Sequence, residues 1–202
     1  MFRLRTLLLV PLVILAFGRG AIAAPILFTA ILTGAQENPP NASTATGFAS
    51  FVLNDAQTAL TFEATINGLD FGGQTPGTAD NLLNAHIHAG LTGGPGTNAG
   101  VVWGFIGAPF NDNNPNDVVV TPFASGVGGT VTGKWDAPEG NNTNLAAQLP
   151  FLLNGLSYIN FHTTQFAGGE IRGQITQVPE PATLALLGIG VACFGLRRKS
   201  AH

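Results

Sequence analysis

The chain has 202 residues, 27 of them glycine and 13 proline; only 9% are charged, for a formal net charge of −3. Six of its eight basic residues lie in the two ends (Arg3, Arg5, Arg19, Arg197, Arg198 and Lys199), so residues 25–178 keep Lys134 and Arg172 against ten acids, two minus ten or −8. That balance excludes a nucleic-acid binder, and a lone cysteine, Cys193, excludes a disulfide framework.

The chain opens MFRLRTLLLVPLVILAFGRGAIAA. Arg3 and Arg5 form a basic start, Leu7 to Phe17 an apolar run, and Ala21-Ile22-Ala23 a small-x-small cleavage pattern. The run is roughly half of the ~20 residues a spanning helix needs, so residues 1–23 read as a signal peptide cut after Ala23.

Short strands follow. Ile26–Thr33 is the first, and the loop GAQENPP carries Glu37 beside a Pro-Pro turn. Glu37 reads as a loop residue, with a carboxylate that can also serve as an oxygen ligand. TGFASFVL (Thr46–Leu53) and TALTFEATIN (Thr58–Asn67) alternate with period two, and Asn54 to Gln57 between them makes a hairpin turn. Further strands are expected at Leu82–His88, Gly100–Ile106, Gly129–Trp135, Tyr158–Thr163 and Glu170–Thr176, with a short helix at Leu145–Leu153. NDNNPN (111–116) and GGPGTNAG (93–100) read as loops. Many short strands joined by Gly, Asn and Pro turns predict an all-β fold, an antiparallel Greek-key-like sandwich or barrel of about seven to nine strands.

The chemistry is concentrated in three histidines. In AHIHAG, His86 and His88 sit at i and i+2 on one strand and project from the same face. In SYINFHTT, His162 falls on the polar face, and in GGEIRGQI so do Glu170 and Arg172. A hairpin across TQFAGG places His162 and Glu170 on one face, with Arg172 beside Glu170 as its ion-pair partner. Imidazole suits copper and zinc, and a carboxylate can complete the shell, so His86, His88, His162 and Glu170 are the candidate ligands of one copper or zinc ion. The alternative is that the histidines hydrogen-bond loop backbone and clasp one end of the fold. Trp103 and Trp135 read as core or rim residues in preference to sugar platforms. No GxSxG accompanies any serine, and the acids lie mostly in loops, so no catalytic residue is expected and the domain reads as non-enzymatic.

The end of the chain reads VPEPATLALLGIGVACFGLRRKSAH. Pro179-Glu180-Pro181 precedes an apolar stretch, Ala182 to Leu196, that shows no polar face and reads as a transmembrane helix closed by Arg197, Arg198 and Lys199. This segment, 179–202, resembles the PEP-CTERM sorting signal. The resemblance implies recognition of the tripeptide by an exosortase, a membrane cysteine protease-transpeptidase, in a Gram-negative bacterium. It also implies transient anchoring in the inner membrane and delivery to the cell surface or a biofilm matrix.

Three blocks in order, Leu32–Asp55, Asn84–Gly90 (NAHIHAG) and Ile159–Ile175 (INFHTTQFAGGEIRGQI), resemble the CHRD domain, a module first described in chordin. The match covers nearly all of residues 25–178. It implies a β-sandwich module that binds protein or polysaccharide or acts structurally. The HIH strand and the later histidine, glycine-rich loop and acid are also similar to the copper/zinc superoxide dismutase fold. Three histidines are too few for that two-metal centre, and only a mononuclear site remains open.

Overall fold

The computed structural model describes residues 24–179. The expected signal peptide, the helix 182–196, Cys193 and the sorting residues Glu180, Pro181, Arg197, Arg198 and Lys199 lie outside the described residues. Among the described residues no helix is long and apolar enough to cross a membrane.

The fold is all-β. Its strands are β1 (Ile26–Thr33), β2 (Thr46–Leu53), β3 (Ala59–Asn67), β4 (Leu82–Ala89), β5 (Val101–Ile106), β6 (Val119–Pro122), β7 (Gly128–Asp136), β8 (Ser157–Thr163), β9 (Ile171–Gln174) and β10 (Thr176–Gln177). One helix, α1 (Leu145–Leu153), joins β7 to β8. Its N-cap is Asn144, whose side chain accepts from the Ala147 N–H at 2.9 Å.

All strands belong to one antiparallel sheet, in the order β5-β4-β8-β9-β1-β2-β3-β7-β6, with β10 beside β1. The period-two pattern explains the ladder. In β2 and β3 the apolar residues Ala49, Phe51, Leu53, Leu60, Phe62, Ala64 and Ile66 are buried. Their register, Phe51 opposite Phe62 and Leu53 opposite Leu60, follows from the expected turn. There Asn54 Oδ1 accepts the Thr58 N–H at 2.7 Å.

The sheet curls into a half-barrel, and its two flanks meet through aromatic side chains. Phe62 of β3 lies 4.9 Å from Phe105 of β5, ring centre to ring centre. Trp135 of β7 stacks on Trp103 of β5 at 5.7 Å. Both tryptophans are therefore core residues. The expected sandwich or barrel takes the form of one continuous sheet, because β9 pairs with β8 on one side and β1 on the other.

Beyond one-residue shifts at strand ends, the elements differ from expectation in two places. The predicted strand Glu170–Thr176 is split at Ile175, whose N–H bonds the Ser157 carbonyl while its side chain joins the core. β6 was not expected; all four of its residues are exposed, so no apolar alternation marks it.

The loop NDNNPN covers an edge. Asn111 exchanges two bonds with Gly104 of β5, from its N–H (2.7 Å) and to its Oδ1 (3.0 Å). Asn141 bonds the carbonyls of Val102 (2.8 Å) and Val101 (3.2 Å). The outer strand β5 is thereby closed to pairing by another chain.

Candidate metal centre

Strands β4, β8 and β9 turn one face to the core through Ala85, Ile87, Ile159, Phe161 and Ile171. The opposite face carries His86, His88, Tyr158, Asn160, His162 and Arg172, and all six are buried too. In the β4–β8 ladder His86 lies opposite Asn160 and Asn84 opposite His162, so His86 and His162 are diagonal neighbours.

His86, His88 and His162 each offer one ring nitrogen, and these three atoms all lie within 4.8 Å of one another. The remaining nitrogens fix the tautomers. His86 Nε2 lies 3.0 Å from the Ala108 carbonyl, His88 Nδ1 2.9 Å from that of Ala99, and His162 Nδ1 3.0 Å from that of Ala167. A carbonyl oxygen only accepts, so each of these nitrogens carries the proton and donates. The three inward nitrogens, His86 Nδ1, His88 Nε2 and His162 Nε2, are then bare lone pairs. His88 Nε2 is buried with no hydrogen-bond partner. His86 Nδ1 and His162 Nε2 are 3.2 Å apart, close to the ~3.3 Å that two imidazoles take on a tetrahedral ion with ~2.0–2.1 Å bonds.

The electrostatics keep the rings neutral. Burial, and after it the neighbouring His162, hold His86 down at about 4. Burial likewise holds His88 at about 4 and lowers His162. The ring of His88 stacks on Tyr158 at 4.6 Å, and the Arg172 guanidinium lies 3.4 Å from the centre of the same Tyr158 ring. Tyr158 is sandwiched between them, a cation–π contact in a desolvated setting.

Three expected placements differ. Glu170 precedes β9 by one residue, where the period-two rule no longer sets its face. Its carboxylate accepts from Ser43 Oγ at 2.6 Å and from Thr163 Oγ1, and it is not among the converging ligands. Arg172 does not pair with Glu170. It is 1% exposed and donates to the carbonyls of Thr97 (2.6 Å) and Gly94 (2.8 Å). Among the described residues the ion pairs are those of Lys134 with Asp117 and Asp136. Glu37 lies in the expected loop, but its side chain is buried there. It is 7% exposed, and burial raises its carboxyl to about 7 against the opposing pull of Arg172. Asn160, opposite His86 in the ladder, places its Oδ1 3.1 Å from His162 Nε2. Only its adjacency to a Pro-Pro turn marked Glu37 in sequence, which says nothing of burial.

This is an all-β module with a buried polar strand face covered by loops. A family model for the CHRD domain matches residues 28–175, and the chain belongs to that family. A model of the PEP-CTERM protein-sorting motif matches residues 177–199. That motif is the signal read by exosortases, and it marks the protein for export and sorting to the bacterial cell surface. No curated protein and no solved structure gives a match.

Proposed function

We propose that this exported protein is a non-enzymatic surface module that binds one copper or zinc ion through His86 Nδ1, His88 Nε2 and His162 Nε2. The observation that carries the reading is the trio of loop carbonyls, Ala99, Ala108 and Ala167, which hold the outer protons and leave three lone pairs converging. Carbonyls that orient ligating imidazoles are what a metal site needs around it. Two lone pairs at 3.2 Å repel, and a cation between them removes the repulsion. The donor set, three neutral imidazoles, fits copper or zinc better than calcium or magnesium. Glu170 has no part in the shell, since Ser43 and Thr163 occupy its carboxylate. The membrane carrying the precursor is the inner membrane of a Gram-negative cell, and the destination is the cell surface or its matrix.

The same contacts favour one other reading, in which the histidines clasp the loops 99, 108 and 167 and hold no ion. Equilibrium dialysis of the full chain against copper or zinc, followed by elemental analysis, separates the two. The metal reading expects one ion per chain in the wild type and none in His86→Ala. Equal metal content in both, or none in either, favours the clasp.

A further inference from the structure

Between the Glu37–Asn41 loop and the Gln165–Gly169 turn lies a groove of about 430 Å³, and behind it a smaller one of about 240 Å³ that reaches Arg172 and Gln174. Both are lined by Glu37, Asn38 and Pro40. The larger volume falls within the ~300–1,000 Å³ typical of small-ligand sites.

Glu37 is the unusual member. It is 7% exposed, and its Oε1 is buried with no partner. Leaving a carboxylate oxygen dry and unbonded costs about 1–3 kcal/mol or more. Gly169 stands where any Cβ would come within 2.6–2.7 Å of the carboxylate, and its φ of +131° is one that side chains rarely adopt. No group among the described residues donates to it.

The other walls set the chemistry of a ligand there. Asn38 and Gln165 are exposed amides on the groove, each able to donate and to accept. Phe166 is half-buried and supplies an aromatic wall. Among the described residues no cation is free to hold an anion there. Arg172 is spent on Thr97, Gly94, Asn98 and Gln174, and Lys134 pairs with Asp117 and Asp136. A net −8 over residues 25–178 repels polyanions as well.

From these features we infer that the groove is a binding site for a neutral saccharide, distinct from the metal centre. A pyranose ring offers C–H faces to Phe166, and its hydroxyls bond Asn38, Gln165 and the Glu37 side chain where it lines the groove. A hydroxyl both donates and accepts, which a carboxylate beside two amides requires.

The test uses the full chain in lauryldimethylamine oxide, a detergent without a sugar headgroup. Neutral hexasaccharides of glucose, mannose and xylose, in α and β linkage, are titrated calorimetrically. The account expects saturable binding of at least one, unchanged by EDTA and by His86→Ala. Phe166→Ala, on an exposed turn, and Glu37→Gln each weaken it at least about tenfold, with the melting temperature of the Phe166 variant preserved. Absence of saturable binding across the panel overturns the inference. So does equal affinity in both variants, or binding confined to an acidic oligosaccharide or a proline-rich peptide. Because binding is read with EDTA present, failure here leaves the metal reading standing, and failure of the metal reading leaves this one.

Discussion

At the scale of single residues, the three histidines give the domain a definite response to acid. In the unfolded chain they titrate near their ordinary value, whereas in the fold His86 and His88 stay neutral down to about 4. The unfolded state therefore binds more protons, and stability falls as pH drops from about 6.5 to about 4. Glu37 works the other way: its raised value of about 7 adds stability below its ordinary range and loses it as pH climbs to 7. The three lowered histidines together outweigh the two raised carboxyls, Glu37 and Asp112. Urea midpoints of the metal-free protein should thus be lower at pH 4.5 than at pH 6.5, and His86→Ala should flatten the difference. Equal midpoints in the wild type would contradict the buried neutral triad. Asp70 shows the opposite logic. Against its burial, the N–H groups of Gly72, Gln74 and Thr75 and the Thr75 hydroxyl hold its carboxyl well below the usual range. Asp70→Ala should cost about 2–4 kcal/mol at pH 7 by denaturant titration, and less at pH 3.

At the scale of elements, stability depends on close approaches that glycine alone permits and on one acid that ties loops to the sheet. At Gly104 of β5 the Pro109 carbonyl fills the space a Cβ would need. Gly104→Ala should destabilise by roughly 3 kcal/mol or more and, by moving the Ala108 loop, loosen the outer contact of His86. Glu139 accepts from Asn113 and Asn114 N–H (2.8 and 2.7 Å), from Trp103 Nε1 (3.2 Å) and from Asp136 N–H (3.2 Å). Glu139→Ala orphans buried donors and should cost about 3 kcal/mol, seen as a lowered melting temperature. Strands that bury one side, such as β2 and β3, were legible because residues alternate apolar and polar. β6 was not, because an edge strand exposed on both sides carries no such signal. The helix Leu145–Leu153 was legible from its Asn-rich start, which includes the cap Asn144. The convergence of His86, His88 and His162 was foreseeable from strand faces. The burial of that polar face was not, since it depends on loops 90–100, 107–111 and 165–169 folding over it. The same cover explains the burial of Glu37 and of Arg172, and the partners of Arg172 include loop carbonyls far away in sequence.

At the scale of the whole molecule, the domain runs into its sorting signal without a linker. β10 is paired with β1, and the Val178 N–H bonds the Leu27 carbonyl at 2.8 Å, one residue before Pro179. The sorting motif matches from residue 177. Glu180→Ala should leave the melting temperature of the domain unchanged while retaining the protein in the cell envelope of a strain with an active exosortase, as read by fractionation. Release equal to wild type would contradict a role for the tripeptide. A metal held on the buried strand face by three imidazoles has a defined ligand shell. X-ray absorption spectroscopy on the copper- or zinc-loaded full chain tests it most directly. The account predicts three imidazole nitrogens at about 2.0–2.1 Å, one of them lost in each of His86→Ala, His88→Ala and His162→Ala; a shell of oxygen or sulfur with fewer than two imidazoles would contradict it.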